Sequence, residues 1–175
     1  MIKRCPKKLL LLLTLGALCH TAKPILAQSE QANLAAFVLN IVRFSTWPTE
    51  IKNSINVCVV GDDVVQQSFV SIDQKTVGIR TLQISNVSRW RDVKSCHVLY
   101  LSAVKQNILL QVFAELKQQP LLTIGEGYEF AAQGGMIGLE TVGSKITLHI
   151  NLPVVHEAGL NISARVLNLA HIIGQ

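Results

Sequence analysis

Residues 55–63 read INVCVVGDD, and this stretch decides the fold. A nearly continuous apolar run is typical of a strand that is buried on both faces of a sheet. Gly61 ends the run, and Asp62 and Asp63 follow where the N-terminus of a helix favours negative charge. A buried strand that leads directly into a helix is the repeating unit of a parallel α/β sheet. We therefore expect an α/β domain built outward from this strand.

The alternation of strands and helices continues on both sides of this stretch. Periodic apolar spacing predicts helices, and alternating or continuous apolar runs predict strands. No internal repeat or linker divides the pattern, so we predict one three-layer-like α/β domain. Its sheet is mixed and mostly parallel, is flanked by helices, and ends in a C-terminal hairpin and helix. The predicted elements are helices at 31–44, 103–118 and 163–172, a helical turn at 130–133, strands at 76–84, 96–101 and 121–124, and a hairpin of 136–140 with 145–151.

The start of the chain has the order of a secretory signal. A positively charged segment is followed by a short apolar run and by a small-residue ending at Ala27. We predict residues 1–27 as a cleaved signal peptide and residues 28–175 as the mature domain. A lipoprotein signal at Cys19 is an alternative, although the residue before this cysteine is not small. A membrane anchor is another alternative, but the apolar run is only about half the roughly 20 residues that a bilayer requires.

The positive charge of the whole chain is concentrated in the predicted signal. The chain has 16 Lys and Arg against 11 Asp and Glu, a formal net charge of +5. Five of these basic residues and no acidic residue precede position 28, so the mature domain has 11 of each and is formally neutral. Nucleic-acid binding draws much of its affinity from clustered basic residues. We therefore expect no nucleic-acid partner.

The predicted mature domain retains two cysteines, Cys58 and Cys96. In an oxidising compartment, two cysteines most simply form one disulfide. A metal site formed by both cysteines and His97 is the alternative. It is less favoured because Cys96 and His97 are neighbours on a predicted strand, where successive side chains point to opposite faces. We predict the disulfide, no metal site and no cofactor.

Motifs for catalysis are weak throughout the chain. Asp62 and Asp63 resemble an acidic metal-binding pair, but a strand-to-helix turn uses the same residues. The stretch GEG at 125–127 lacks the lysine and hydroxyl residue of a phosphate-binding loop. The histidines show no metal-ligand spacing, so we predict no catalytic residue and no enzyme. The turn at Asp62 and Asp63 and the turn at 125–127 each follow a predicted strand, which is where open α/β sheets bind ligands. The alternative function is therefore a periplasmic small-ligand-binding module.

A series of segments, in the same order along the chain, resembles the YfiR family of bacterial periplasmic proteins. These segments are FSTWP at 44–48, NVCVVG at 56–61, CHVLYL at 96–101, LLTIGE at 121–126, GMIGL at 135–139 and AGLNIS at 158–163. The resemblance implies a YfiR-like α/β domain over residues 28–175 that reaches the periplasm through its cleaved signal peptide. Cys58 and Cys96 match the family's strand-to-strand disulfide, whereas the second disulfide of some members has no counterpart here.

The resemblance also implies a function and partners. A YfiR-like protein binds and represses the sensory region of an inner-membrane diguanylate cyclase, which lowers cyclic-di-GMP. The expected partner is therefore the periplasmic domain of such a cyclase. An outer-membrane lipoprotein that relieves the repression is a second implied partner, and a homodimer is an arrangement that we leave open.

A neutral mature domain favours a partner surface of apolar side chains rather than of charges. Phe44 and Trp47 are candidates because Pro48 places them at a helix end. Leu160 and Ile162 are candidates because they lie in the loop before the last predicted helix. Core packing is the alternative for all four, since large apolar residues are usually buried.

Overall fold

The computed structural model describes residues 24–89, 93, 95–143 and 145–174, and an eight-stranded sheet forms its centre. Helices and strands are numbered separately along the chain. The helices are α1 (Pro24–Arg43), α2 (Asp63–Phe69), α3 (Gln106–Leu116), α4 (Gly127–Ala132), α5 (Leu152–Glu157) and α6 (Ala164–Leu167), and a 3-10 turn (Val70–Ile72) follows α2. The strands are β1 (Ser45–Thr46), β2 (Ser54–Val60), β3 (Thr76–Val77), β4 (Arg80–Asn86), β5 (Val98–Leu101), β6 (Leu122–Glu126), β7 (Ile137–Val142), β8 (Lys145–Asn151), β9 (Asn161–Ile162) and β10 (Ala170–Ile173).

The strands of the large sheet lie in the order β10-β8-β7-β6-β5-β2-β4-β3. The five central strands from β7 to β4 are parallel to one another. At one end β3 pairs antiparallel with β4, and at the other β8 pairs antiparallel with β7 and β10 parallel with β8. A separate small sheet joins β1 and β9. The predicted mixed, mostly parallel sheet is confirmed.

Each face of the sheet has its own hydrophobic core, because side chains along a strand alternate between faces. On one face, Val57, Val59 and Tyr100 pack in a cluster with apolar residues of α1 and α2. On the other face, Leu99 and Leu101 pack in a cluster with apolar residues of α3 and α4. The sheet is therefore the middle of three layers, as the buried apolar runs predict.

The predicted strand at 76–84 is two strands in the structure. β3 and β4 form a tight antiparallel hairpin in which Thr76 lies opposite Thr81. The turn contains Gly78, whose φ is +61°. Glycine adopts this left-handed conformation without the Cβ clash that other residues incur. The alternating pattern indicated extended chain correctly, but it did not show that the chain reverses at Gly78.

The predicted final helix at 163–172 is wrong over its second half. α6 ends at Leu167, and residues Ala170–Ile173 form β10 at the edge of the sheet. Ala170 and Ile172 pack against the main core and lie opposite Leu148 and Ile150 of β8. Pairing with β8 supplies backbone hydrogen bonds that a second helical turn would have to form locally. Tertiary pairing therefore overrides the helical spacing of the apolar residues.

The helix predicted at 31–44 is confirmed and ends at Arg43. The helix begins at Pro24, so the predicted cleavage point after Ala27 lies within it. Residues 1–23 of the predicted signal lie outside the described residues, and cleavage stays a prediction. No helix in the described part of the chain has both the length and the apolar character needed to cross a membrane.

A disulfide joins Cys58 and Cys96, as predicted, with the two Cα atoms 5.9 Å apart. Cys58 lies in the middle of β2. The strand predicted at 96–101 begins only at Val98, so Cys96 lies in the loop just before β5 and the bridge is not strictly strand-to-strand. Both sulfurs are used by the bridge, which removes them from the alternative metal site with His97.

Replacing both cysteines, as Cys58→Ser with Cys96→Ser, is expected to lower the free energy of unfolding by about 4 kcal/mol. This value follows from closing a loop with a sequence separation of 38 residues, if the bridge acts mainly on the entropy of the unfolded chain. Urea unfolding with and without reductant measures the effect. The wild-type midpoint should fall in reductant, whereas the midpoint of the double variant should not move. Two titratable thiols in the unreduced, unfolded wild type would contradict the bridge.

Candidate functional site

The carboxyl ends of β2, β5 and β6 meet at one edge of the sheet, because the three strands are adjacent and parallel. Gly61 follows β2, Ser102 follows β5 and Glu126 ends β6. The Ser102 backbone N–H donates to the Val60 carbonyl at 2.9 Å, which continues the pairing past the strand end. This is the edge at which open α/β sheets usually bind ligands.

The Glu126 carboxylate is held by two hydroxyl groups at this edge. Ser102 Oγ donates to Glu126 Oε1 at 2.6 Å, and the Tyr100 hydroxyl donates to the same oxygen at 3.4 Å. Burial raises the pKa of the Tyr100 phenol well above its usual value, and the charge of Glu126 raises it further. Tyr100 therefore stays protonated and acts as a hydrogen-bond donor. The arrangement fixes the carboxylate in place.

Asp62 and Asp63 have the structural role that the strand-to-helix interpretation predicts. Asp62 is the N-cap of α2, and its Oδ1 accepts a hydrogen bond from the Val65 backbone N–H at 2.9 Å. Asp63 lies in the first turn of the same helix. The described residues contain no group of three or more His, Cys, Asp or Glu that could hold a metal ion.

The glycines around Glu126 are explained by packing and backbone conformation. A Cβ on Gly125 would overlap the ring of Phe130, which lies directly against the strand. Gly127 has a φ of +80°, which glycine adopts most readily. Both glycines allow β6 to turn into α4. The structure thus accounts for the GEG stretch without a phosphate-binding role.

A cleft of about 390 Å³ lies near the opposite, amino ends of β6 and β7. Its apolar lining includes Phe113 and Met136, and Lys117 and Glu157 lie across from one another with 3.8 Å between Nζ and Oε2. The lining does not include the strand-end residues that follow β2 and β6. Any ligand in this cleft would therefore bind at a different place from the site expected from the sequence.

Phe44 directly follows α1, and Trp47 directly follows β1, three residues further along the chain. Phe44 is 36% exposed. Its backbone is held on both sides, because its N–H donates to the Ile41 carbonyl and its carbonyl accepts from the Ser163 N–H at 2.8 Å. Trp47 is partly buried against the main core, and its Nε1–H donates to the His97 carbonyl at 3.1 Å.

Leu160 and Ile162 are not surface residues, and their prediction as exposed contacts is wrong. They are only 3% and 2% exposed. Ile162 lies in β9 directly opposite Ser45 of β1, so the small sheet turns its side chain into the main core. The Leu160 backbone N–H is bonded to the Val155 carbonyl, and its side chain joins the same cluster. Core packing, the alternative for these residues, applies to both.

His97 is a structural residue, and the sequence pattern did not reveal its role. The Asn56 backbone N–H donates to His97 Nδ1 at 3.0 Å, and the His97 N–H donates to the Asn56 carbonyl at 2.8 Å. Burial lowers the pKa of the His97 imidazole from its ordinary value. A histidine just before a buried strand was the available signal, but the partner in β2 is 41 residues away.

A second polar group lies on β7, β8 and β10, outside any predicted site. His149 Nε2 lies 2.8 Å from Glu140 Oε2, and the His149 ring stacks on His171 with centroids 5.4 Å apart. The planes of the two rings are inclined by 24° to one another. This group was missed because residues around His171 were predicted to be helical.

Removing the cap of α2 should lower the stability of the domain. We expect Asp62→Ala to lower the free energy of unfolding by about 1 kcal/mol, because the Val65 N–H loses its partner. Asp62→Asn is the matched control, since its amide oxygen can accept the same bond. Chemical unfolding compares both variants with the wild type. Equal losses of stability in the two variants would contradict the capping role of Asp62.

Comparison with known proteins agrees with the fold and assigns the family. A crystal structure of a conserved domain protein from Vibrio cholerae O1 biovar El Tor str. N16961 matches with a TM-score of 0.53 at 13% identity. The match covers 81% of this chain and 59% of that one, so the present chain spans little more than half of its length. The family model described as YfiR/HmsC-like matches residues 31–171. The chain belongs to the YfiR/HmsC-like family.

Proposed function

We propose that this protein is a periplasmic regulator that binds the sensory region of an inner-membrane diguanylate cyclase and represses it. Repression would lower cyclic-di-GMP, and an outer-membrane lipoprotein would relieve it. Family membership over residues 31–171 is the observation that carries the proposal. The Cys58–Cys96 disulfide supports an oxidising compartment such as the periplasm.

The surface around Phe44 and Trp47 is the proposed contact with the cyclase. We call these two side chains the Phe44–Trp47 surface. An exposed aromatic side chain on a fixed backbone loses little conformational freedom when it binds, which favours affinity. Phe44 meets this description because α1 holds the chain before it and the small sheet of β1 and β9 holds the chain after it. Aromatic residues are also enriched among those that dominate binding energy.

The charge of the predicted mature domain limits how it recognises a partner. A domain with 11 basic and 11 acidic residues exerts little long-range attraction on a charged target. Binding through an aromatic surface depends mainly on apolar burial and is only weakly screened by salt. The proposed complex should therefore persist when the ionic strength is raised.

A small-ligand-binding module is the second candidate function. The cleft lined by Phe113 and Met136 is the observation that favours it, because ligand sites are concave and mostly apolar. Native mass spectrometry of the protein purified from its own cells tests this function. A bound metabolite that is lost when Phe113 is replaced by a larger residue would support the cleft.

Deleting the gene for this protein should raise cyclic-di-GMP in cells that carry the cyclase. A repressor acts by binding the inactive state of its target more tightly than the active state, so its loss shifts the population toward activity. Extraction and quantification of cyclic-di-GMP measures the change. Expression of the intact chain from a plasmid should restore the low level. Unchanged cyclic-di-GMP on deletion would refute the repressor assignment.

Replacing the exposed aromatic residue, as Phe44→Ser, should weaken cyclase binding by about tenfold or more. The melting temperature should change by no more than about 2 °C, because Phe44 is only partly buried. Ile79→Ser is the matched control: Ile79 is 89% exposed and lies in the β3–β4 turn. Titration calorimetry with the cyclase's periplasmic domain compares the variants. Equal losses in both variants, or none in either, would place the contact elsewhere.

A further inference from the structure

His97 directly precedes β5, and its hydrogen bonds to Asn56 extend the pairing of β2 with β5 by one residue. In a parallel pair, one residue turns both its N–H and its C=O toward the same neighbouring strand. Asn56 does this, and His97 supplies both partners: its backbone N–H meets the Asn56 carbonyl, and its ring Nδ1 meets the Asn56 N–H. The imidazole therefore replaces the backbone carbonyl that would normally accept this bond.

This geometry requires a neutral imidazole. Nδ1 accepts a hydrogen bond from a backbone N–H, so it carries no proton and the ring proton is on Nε2. In an imidazolium both nitrogens are donors, and two donors would face each other 3.0 Å apart. Protonation of His97 thus cannot occur without breaking the bond to Asn56.

Among the described residues, none of the hydrogen-bond and ring partners of His97 has a charged side chain. Its described hydrogen-bond and ring partners are Trp47, Asn56 and Leu122, and all three side chains are uncharged. Cys96 is held in the disulfide. In the sequence, Arg89, Arg91, Asp92 and Lys94 precede His97, and of these four only Arg89, which has an interaction of its own, belongs to the described residues.

The same residue holds the indole of Trp47. The His97 carbonyl accepts hydrogen bonds from Trp47 Nε1 at 3.1 Å and from the Leu122 N–H at 2.9 Å. The two rings also meet edge to face, at 85° with centroids 6.5 Å apart. A rotation of the His97 ring away from Asn56 would therefore disturb the packing of Trp47.

We infer that His97 is a pH-sensitive latch on the Phe44–Trp47 surface: its neutral ring holds Trp47 in place, and its protonation releases Trp47 and weakens partner binding. The consequence for the partner rests on the proposed function, whereas the latch itself does not. Acidification would then relieve repression without any change at the cyclase.

The direction of the pH effect follows from the lowered pKa of His97. Burial lowers this pKa below the ordinary value of 6.5, so the unfolded chain binds the proton more readily than the folded one. The contribution of His97 to stability is fully present above pH 6.5 and is lost as the pH falls from there through the folded pKa. The latch is closed at neutral pH and opens in acid.

The latch can be observed by nuclear magnetic resonance of the intact mature protein. Nitrogen-15 shifts of the His97 ring should show an unprotonated Nδ1 at about pH 7.5 and a doubly protonated ring once acidification has passed the folded pKa. The indole N–H of Trp47 should exchange with solvent about tenfold faster when His97 is protonated, because the indole loses the edge-to-face contact with the ring that helps to hold it on the His97 carbonyl. Trp90 is the other tryptophan of the chain, so Trp90→Phe leaves a single indole signal.

His97→Asn is the matched control, because its Oδ1 can accept from the Asn56 N–H and does not titrate. In this variant the Trp47 exchange rate should keep only the dependence on pH that free indole shows. The latch would be overturned if the Trp47 exchange rate of the wild type depended on pH only as that of His97→Asn does. A His97 ring that is protonated at Nδ1 at about pH 7.5 would also overturn it. The ring measurement uses the wild-type residue, so it decides the question even if His97→Asn does not fold.

Partner binding is measured separately. The affinity of the wild type for the cyclase's periplasmic domain should fall about tenfold from about pH 7.5 to the pH at which the ring shifts show His97 protonated, and that of His97→Asn should fall less. An equal fall in both proteins would show that His97 does not control the surface. Absence of binding at either pH, with the Trp47 response intact, would refute the proposed partner and leave the latch standing.

Discussion

The parallel pairing of β2 with β5 is the contact on which the rest of the structure depends. β2 lies between β4 and β5, so both hydrophobic cores are built across it. The disulfide and the His97–Asn56 bonds secure the start of the pair, and the Ser102–Val60 bond secures its end. Parallel pairs join segments far apart in the chain, which makes their closure entropically costly. The disulfide reduces that cost by limiting the freedom of the unfolded chain.

The start of the β2–β5 pair, at Asn56 and His97, also connects the fold to the proposed contact surface. Trp47 is anchored on the His97 carbonyl, and Phe44 is anchored through the small sheet of β1 and β9. The first anchor is a hydrogen bond from the indole N–H to a backbone carbonyl, the second includes a backbone hydrogen bond from Ser163, and both join segments distant in sequence. The position of the aromatic pair is therefore a consequence of the tertiary structure and not of the end of α1 alone.

The local pattern of apolar residues was sufficient to predict the central strands of the sheet. The runs around Val57, Leu99 and Ile124 are buried on both faces, and a strand of that kind has a sequence signature independent of its partners. The last part of the chain has no such signature. Ala170 and Ile172 fit a helix stripe and an alternating strand equally well, and only pairing with β8 decides between the two.

Some residues of the candidate site could likewise be predicted from the local sequence, and others could not. The cysteine pair and the cap at Asp62 follow from local chemistry, and both are present. Phe44 and Ile162 share an apolar character and a place near a predicted loop, but one is exposed and the other is buried because β9 pairs with β1. His97 acts through Asn56, a residue that no spacing rule connects to it. Long-range contacts thus determine which apolar and polar residues are available to a partner.

Hydrogen–deuterium exchange of the mature protein, with and without the cyclase's periplasmic domain, tests the central claim most directly. The account predicts slower exchange in the segment from Phe44 to Trp47 when the domain is present, and unchanged exchange around Ile79. Backbone groups in the proposed contact become shielded, whereas the β3–β4 turn stays in solvent. Protection confined to the cleft around Phe113 and Met136, or no protection anywhere, would contradict it.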